Sequence, residues 1–397
     1  MKHNFDLVIP REGTNSVKWD PAILKRIFGI EDGRILPLWV ADMDFPAPPS
    51  VTEALHKRVE HGIFGYSAPL DDYFSAVTWW QQERHNWQIN PEWVTITPGI
   101  VPALNFIIRA LTDEGDQVII QQPVYHPFES TVTTNNRVIV NNPLVWDNGT
   151  YVMDYDHLES LAKQPETKMM ILCSPHNPLG IVWSFEQLQR LGGICNRHGV
   201  IVIADEIHND LILPGHHHTT YALLGEEFAN NAVICTAPSK TFNLAGLQTS
   251  NLIIPNKSVK DKIELELKKS SIHGTNLFGI VSTTAAYSAE GADWLDQLLV
   301  YLDGNADFIR EFLLENAPDI AYVKPEATYL AWLDFSKYKI ENKELDNKIR
   351  KEANLLLNNG AAFGAGGEGF MRLNFACPRP ILEEALLRLA NMLKGLK

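Results

Sequence analysis

The feature that most constrains the fold is a series of short apolar runs between about residues 95 and 255. Each run is rich in valine and isoleucine, and segments with a helical period separate several of them. Strands buried between two layers of helices have this composition. The runs are residues 117–121, 137–141, 169–173, 200–204, 232–236 and 251–255. Their alternation with helices predicts an α/β unit in which a mostly parallel sheet lies between helix layers.

The last third of the chain has a different pattern. It alternates long helical stretches with strand-like segments, at residues 293–315 (helix), 329–335 (strand), 343–358 (helix), 370–376 (strand) and 380–395 (helix). A chain of 397 residues is also long for a single domain. We therefore expect an N-terminal arm over residues 1–47, a large domain over residues 48–285 and a small α+β domain over residues 286–397, to which the arm belongs.

The charge balance narrows the class of partner. The chain has 34 lysines and arginines against 48 aspartates and glutamates, a formal net charge of −14, which argues against a nucleic-acid partner. It lacks an apolar run long enough for a membrane span, and the stretch MKHNFDLVIPREGTNS lacks the apolar region of a secretory signal. Of the four cysteines, Cys173 and Cys235 end apolar runs, which suits small buried apolar residues in a reducing compartment. We expect a cytoplasmic protein without nucleic-acid or membrane partners.

One lysine stands out because it follows an apolar run in a stretch with almost no other charge. Lys240 lies in VICTAPSKTFNLAG, residues 233–246. Apolar surroundings lower the pKa of a lysine amine and make it a nucleophile that forms Schiff bases. The alternative is a strand-end lysine whose ammonium reaches water along its apolar stem. This stretch alone leaves both interpretations open.

Other polar side chains follow the ends of other runs. Tyr125, Asn177 and Asp205 come after three of them, and His208 lies shortly after Asp205. Ligands of open α/β sheets bind at the carboxyl ends of the strands, so these side chains are expected beside Lys240. Pyridoxal phosphate chemistry requires such a set: a Schiff-base lysine, an acid for the pyridinium nitrogen and donors for the ring oxygen.

A helix start at Gly99 supplies a candidate phosphate site. Gly99 precedes a helical pattern, and the free N–H groups around Ile100 and Val101 would hold a phosphate. Taken singly, Asp205 is also a candidate helix cap and Asn177 a candidate turn residue. Their order at successive strand ends favours a cofactor site.

The ordered motifs resemble those of the fold-type I pyridoxal phosphate enzymes over essentially the whole chain. The motifs are P-G-x-x-x-A (98–103), P-x-Y (123–125), H-N-P-x-G (176–180), D-E-I-H (205–208), S-K-T-F-N-x-A-G (239–246) and M-R-L-N-F (371–375). Within that superfamily the chain looks closest to the cystathionine β-lyase, or C–S lyase, branch. The features pointing there are WVADMDFPAPPSV (39–51), D-E-I-H where aminotransferases usually have D-E-x-Y, and APSKTFNLAGLQ (237–248).

The resemblance implies a role for each matching residue around the cofactor ring. Lys240 would bind the cofactor through a Schiff base and then move the Cα proton of the substrate. Asp205 would pair with the pyridinium nitrogen. Asn177, assisted by His208, would donate to the ring oxygen. Tyr125 would stack on the ring, although an aromatic residue after a strand is often only a packing residue.

The resemblance also implies contacts to the phosphate and the substrate. The phosphate would be held by Gly99, Ile100, Val101 and Ser239. Tyr66 would reach the cofactor and substrate of the neighbouring subunit, which implies a homodimer with shared active sites. Arg372, with Asn177, would bind the substrate α-carboxylate; the alternative for Arg372 is a pair with an acidic neighbour.

The sequence departs from the aminotransferases of this fold at two phosphate positions. Gln248 stands where they often have an arginine, and Ala237 stands where they often have a serine. Fewer charged groups are therefore expected to hold the phosphate.

Two further motifs suggest other ligands and are set aside. The glycine-rich loop at residues 364–369 matches G-x-G-x-x-G, but it leads into a predicted strand, whereas a dinucleotide site follows a strand and opens a helix. His216, His217 and His218 are adjacent, and adjacent histidines rarely converge on one metal ion. We expect no metal.

The resemblance predicts a pyridoxal phosphate-dependent C–S β-lyase of methionine and cysteine metabolism. It would take a small sulfur-containing amino acid and release a thiol, pyruvate and ammonia. The alternative is an aminotransferase of class I/II, which shares the first steps. A non-catalytic regulatory protein is a third possibility, against which the presence of both Lys240 and Asp205 argues. The group carried by the sulfur is not given by the sequence.

Overall fold

The computed structural model describes residues 3–30, 33–147, 149–272 and 274–395. The α-helices are α1 (Pro21–Phe28), α2 (Pro49–Glu60), α3 (Asp71–His85), α4 (Ile100–Leu111), α5 (Pro127–Thr133), α6 (Tyr155–Ala162), α7 (Phe185–His198), α8 (Glu226–Asn230), α9 (Pro238–Thr241), α10 (Lys257–Lys269), α11 (Leu277–Ala286), α12 (Ala289–Asn316), α13 (Asn342–Lys351) and α14 (Arg379–Lys394). The strands are β1 (Leu36–Pro37), β2 (Val94–Thr97), β3 (Gln117–Ile120), β4 (Val138–Asn141), β5 (Val145–Asp147), β6 (Thr150–Val152), β7 (Thr167–Cys173), β8 (Ile201–Asp205), β9 (Ala232–Thr236), β10 (Ser250–Ile253), β11 (Ala321–Tyr322), β12 (Leu330–Asp334), β13 (Leu355–Leu356), β14 (Asn358–Asn359) and β15 (Phe370–Asn374).

The large sheet has the order β2-β10-β9-β8-β7-β3-β4 among the described residues. Strands β4, β3, β7, β8 and β9 run parallel, whereas β10 is antiparallel to both of its neighbours. All of the apolar runs predicted as strands lie in this sheet, which confirms the α/β class. Strand β2 was not predicted, because its sequence VTIT is short and half polar.

Helices cover both faces of the large sheet. Helix α4 buries Ile100, Ala103, Leu104, Ile107 and Ile108 on one stripe, as a helical period requires, and contacts α10 and α5. On the other face α6 packs against α7. A capping box at Ser184 begins α7, and Gly199 ends it in a left-handed conformation. The layers bury the sheet, so its strand ends are the exposed edge at which a ligand can bind.

The C-terminal part forms a second sheet, with the order β11-β12-β15-β14 among the described residues. Strand β1 of the N-terminal arm pairs with β13, which follows α13. The prediction of one helix over residues 343–358 was wrong at its end: α13 stops at Lys351, and residues 355–359 contain β13 and β14. Asn354 has a left-handed φ of 50°, which ends the helix, and Leu355 and Leu356 are then buried. The limits of the arm and of the two domains stay a prediction.

No helix within the described ranges combines the length and the apolar character that a membrane crossing requires.

Candidate active site

Four neighbouring strands deliver Tyr125, Asn177, Asp205, His208, Ser239 and Lys240 to one edge of the large sheet. Strands β3, β7, β8 and β9 lie side by side, and Cys173, Asp205 and Cys235 are in register across three of them. A pocket of about 340 Å³ opens at their carboxyl ends. The predicted residues that line it are Gly99, Ile100, Val101, Tyr125, Asn177, Asp205, His208, Ser239, Lys240 and Arg372. A larger cavity of about 610 Å³ between α1 and α14 contains none of them.

Lys240 lies in the short helix that follows β9. Pro238 fixes the first turn of that helix, and the lysine side chain points back to the N-terminal arm, where its Nζ donates to the carbonyl of Ala41 at 2.8 Å. Burial lowers the pKa of Lys240 to about 8, with Arg372 acting in the same direction and Asp42 and Asp205 opposing it. A substantial fraction of the amine is therefore neutral near pH 8 and available as a nucleophile.

Asp205 is the last residue of β8 and is buried beneath the pocket. Its Oδ1 accepts from the N–H of Ile207 at 3.2 Å. Burial raises the pKa of Asp205 to about 7, although this N–H and Lys240 lower it and Glu206 raises it further. Among the described residues no cationic side chain pairs with Asp205 directly. A carboxylate in this position fits a cationic ring nitrogen, which would keep it ionised.

Arg372 comes from β15 and is anchored on three sides. Its guanidinium donates to Asn177 Oδ1 at 2.9 Å, to the Trp39 carbonyl at 2.8 Å and to Asn358 Oδ1. Burial lowers its pKa to about 10, so it remains cationic at neutral pH. Its buried Nε has no hydrogen-bond partner in the described part of the chain. A buried guanidinium with an unused donor fits the carboxylate of a ligand in the pocket.

The contact between Arg372 and Asn177 also orients the amide. Because Asn177 Oδ1 accepts from Arg372, its Nδ2 is the atom that remains as a donor toward the pocket. The backbone N–H of Asn177 is bonded to Cys173 Sγ at 3.3 Å, at the end of β7. The side chain is thus fixed from two directions and presents an N–H group, as a ring oxygen would require.

His208 and Tyr125 line the same pocket. His208 is buried with its Nδ1 unpartnered among the described residues. Burial lowers its pKa to about 3, and Lys240 and Arg372 lower it further, so the ring is neutral. Burial likewise raises the pKa of Tyr125 to about 12, and its ring packs edge-on against Phe128. Both rings are therefore uncharged neighbours of the charged groups.

The N-terminus of α4 faces the same pocket. Gly99 has a φ of 131° and precedes the helix, so a side chain at this position would be strained. The first N–H groups of a helix have no partner within it, and those of Ile100 and Val101 open on the pocket beside Ser239. Gln248 and Thr249 also line it. These donors fit a phosphate, although Gln248 supplies no positive charge at its position.

Tyr66 is the one predicted site residue that the chain does not bring to the pocket. It is fully exposed in the segment between α2 and α3. Its neighbours Ile63, Phe64 and Leu70 are also exposed. Within one chain Tyr66 contacts no other predicted site residue, so a role at an active site requires a second subunit.

The segment over residues 39–45, called the arm segment below, was missed as part of the site. Its sequence indicates only the family resemblance, because its contribution to the site is made by backbone carbonyls. The carbonyls of Val40 and Asp42 accept from Asn374 at 2.6 Å each, and those of Met43 and Phe45 accept from Asn243. The side chains that line the pocket and were assigned no role include those of Trp39, His126, Thr249 and Asn358.

A second missed feature is a buried polar network beneath the pocket. Asp210 accepts from Trp80 Nε1 at 3.0 Å, from Thr241 Oγ1 at 2.8 Å and contacts His85 Nε2 at 2.8 Å. Although burial acts in the opposite direction, these contacts hold the pKa of Asp210 below its usual range. The network joins the loop that follows Asp205 to the helix that carries Lys240.

The two motifs that were set aside lie apart from this pocket. His216 is partly exposed near Glu326, whereas His218 is buried with its Nε2 at 3.2 Å from Glu206. These two histidines therefore contact different carboxylates. The glycine-rich loop leads directly into β15, as expected.

The chain matches known proteins over nearly its whole length. The aminotransferase class I and II family matches residues 34–389. The cystathionine beta-lyase PatB of Bacillus subtilis (strain 168) is 46% identical over 386 residues, which cover 97% of this chain and 98% of that protein. Cystalysin from Treponema denticola, solved with pyridoxal 5'-phosphate, has 35% identity and a TM-score of 0.95, with all of both chains covered. The PLP-bound C-S lyase from Staphylococcus hominis has 32% identity and a TM-score of 0.90, with 99% of this chain and 98% of that chain covered.

Proposed function

Because this chain belongs to the aminotransferase class I and II family, we propose that it is a pyridoxal phosphate-dependent C–S β-lyase. The observation that carries the cofactor assignment is the shared pocket of Lys240, Asp205 and Arg372. The lyase assignment is supported by the 46% identity to a cystathionine beta-lyase and by the likeness to two solved structures with this cofactor. The substrate is a small sulfur-containing amino acid.

The donor set of the pocket fits the cofactor at each of its functional groups. Lys240 would bind its aldehyde, Asp205 its ring nitrogen and Asn177 Nδ2 its ring oxygen, with His208 beside it. The phosphate would lie at the N-terminus of α4, against Ile100, Val101 and Ser239. When bound, pyridoxal phosphate supplies an aldehyde that condenses with amines and a conjugated ring that accepts electrons from the substrate Cα.

The chain supplies the orientation and the proton transfer. Arg372 would bind the α-carboxylate and so fix the direction of the Cα–H bond relative to Lys240. The neutral Nζ of Lys240 would then take the Cα proton as a general base. Asp205, buried where it lines the pocket, would keep the ring nitrogen protonated. Loss of the thiolate from Cβ follows from the negative charge that proton removal leaves on the substrate.

The arrangement of the active sites between subunits belongs to the same proposal. Tyr66 would reach the site of a second copy, and the exposed Ile63, Phe64 and Leu70 around it would be covered in a homodimer. We place the enzyme in the cytoplasm. We also propose the division into an arm (1–47), a large domain (48–285) and a small domain (286–397).

An assay on L-cystathionine without any keto acid tests the lyase assignment. We expect one water to be consumed and homocysteine, pyruvate and ammonia to appear in equal amounts. Lys240→Ala is the matched control, which should lose the visible absorbance of bound cofactor and at least ~10³-fold in turnover.

The aminotransferase alternative is tested with L-aspartate or L-alanine and 2-oxoglutarate. We expect kcat/KM for glutamate formation to be lower by ~10²-fold or more, about 2.7 kcal/mol of transition-state discrimination. Faster glutamate formation, with no thiol released from any sulfur amino acid, would replace the lyase by the aminotransferase.

A further inference from the structure

The carbonyl oxygen of Ala41 accepts hydrogen bonds from two side chains that come from different parts of the fold. Lys240 Nζ donates to it at 2.8 Å from α9. The hydroxyl of Tyr329 donates to it at 3.0 Å from the residue before β12. A carbonyl oxygen has two lone pairs, so these two donors complete it. The position of the Lys240 amine is thereby tied to that of the Tyr329 hydroxyl.

Tyr329 is held rigidly behind the pocket wall. Its side chain is fully buried, and its ring lies edge-on to His208 with 6.0 Å between centroids. Its carbonyl accepts from the N–H of Phe375 at 2.9 Å. Burial raises the pKa of Tyr329 well above its ordinary value. The phenol is therefore protonated at every working pH and always acts as the donor to Ala41.

The residue before Tyr329 has a backbone conformation that is unfavourable for its type. Thr328 has a φ of 71°, and left-handed conformations of β-branched residues are rare and strained. The surrounding contacts enforce it: Thr328 N donates to Leu211 O at 2.7 Å, and Thr328 Oγ1 accepts from the N–H of Leu330 at 3.2 Å. Strain of this kind persists where it places a functional group. Here it sets the direction in which Tyr329 leaves the chain.

We propose that Tyr329 is a positioning residue that fixes, through the Ala41 carbonyl, the place from which Lys240 Nζ takes the Cα proton. In that step the Cα–H bond breaks, an Nζ–H bond forms and the electron pair passes to the cofactor ring. The resulting ammonium is a stronger donor to Ala41 than the amine. Three parts of the fold meet at this oxygen, so a small displacement of any of them moves the base.

The test compares Tyr329→Phe with Tyr322→Phe. Tyr322 also donates its hydroxyl to a backbone carbonyl, that of Ala306 at 3.4 Å, but lies in β11 outside the pocket. The measurement is the single-turnover rate of Cα proton removal, counted per cofactor-loaded site, with Cα-deuterated substrate to identify the step. We expect a fall of ~10- to 100-fold for Tyr329→Phe with little change in KM, since small misplacements of a catalytic group have effects of this size. Tyr322→Phe should match the wild type.

A second readout does not use turnover. After removal of the cofactor, the return of visible absorbance on adding pyridoxal phosphate measures how readily Lys240 forms its Schiff base. We expect capture to be about tenfold slower in Tyr329→Phe than in Tyr322→Phe. Equal capture rates and equal single-turnover rates in the two variants would overturn the proposal.

The part played by Thr328 is tested by a double-mutant cycle. Thr328→Gly removes a buried side chain, including the hydroxyl that accepts from the N–H of Leu330, and a glycine is no longer confined to one backbone conformation. Its proton-removal rate should therefore fall toward that of Tyr329→Phe. The double variant should be no slower than Tyr329→Phe alone, because both changes act through one hydroxyl. Additive losses would refute the link. The role of Tyr329 rests on the proposed function, but different results would refute each of them. Absence of thiol release by the wild type refutes the lyase function. An active wild type with an unimpaired Tyr329→Phe variant refutes the role of Tyr329.

Discussion

Replacing Thr241 by valine removes one hydroxyl from the network around Asp210 and leaves the shape of the side chain unchanged. Asp210 then loses the donor at 2.8 Å on its Oδ2, while Trp80 and His85 still contact its Oδ1. Both partners are buried, so water does not replace the lost donor. Hydrogen bonds to charged groups contribute about 1.5–3 kcal/mol. We expect the free energy of unfolding to fall by about 2 kcal/mol.

The assay for this prediction is a comparison of Thr241→Val with Thr241→Ser. Serine keeps the hydroxyl but loses a methyl group, so it separates the hydrogen bond from packing. We expect the melting temperature of the valine variant to fall by about 2 °C and its bound cofactor to dissociate faster, because the turn that carries Lys240 is less firmly held. The serine variant should retain its cofactor as the wild type does. If valine retains cofactor as well as serine, Asp210 does not hold the lysine turn and the reasoning is wrong.

Three further predictions concern the charged groups and the subunit arrangement. Asp205→Asn should still bind cofactor but lose at least ~10²-fold in turnover per bound cofactor, because a neutral partner no longer keeps the ring nitrogen protonated. Unchanged turnover would show that another residue pairs with that nitrogen. The rate of cofactor capture should rise with pH, with a midpoint near 8, because burial lowers the pKa of Lys240 to that value and only the neutral amine attacks. A midpoint near 10.5 would contradict the burial of the amine. Once subunit exchange is established, inactive Lys240→Ala and Tyr66→Ala chains can be mixed to form heterodimers. We expect activity to return, because one of the two sites in each heterodimer then carries neither change. Proven heterodimers without activity would exclude a shared site.

The sequence predicted the large sheet well because its strands are buried on both faces. Six apolar runs with a clear boundary at each end became strands within one or two residues of their predicted limits. Strand β2 was not predicted because its sequence is short and half polar. The antiparallel direction of β10 was not predicted because neither polarity nor period encodes strand direction. The helix over residues 343–358 was extended too far because Leu355 and Leu356 continue its apolar pattern, and only their partners in β1 show that they pair as a strand.

The candidate site was predictable where side chains carry the chemistry and unpredictable where the backbone does. Lys240, Asp205 and Asn177 have chemically distinctive side chains at strand ends, and the structure places them in one pocket. Ala41 contributes a carbonyl oxygen, which every residue type has, so its identity gives no signal. Asp210 and Tyr329 lie behind the pocket and act on it through another residue, and their sequence positions indicate no such contact.

The bond between Arg372 and the carbonyl of Trp39 joins residues 333 positions apart. Ribosomes add ~5–20 residues per second, so roughly 17–67 s separate the synthesis of these two partners. During that interval the arm segment is complete but its carbonyls have no partners in β15. Lys240 is also made before β15, so a growing chain presents its nucleophile before the groups that orient a substrate exist. Productive loading of the cofactor is therefore an event that follows translation of β15, and a ribosome-bound chain stalled before that strand should gain no catalytic activity from added pyridoxal phosphate.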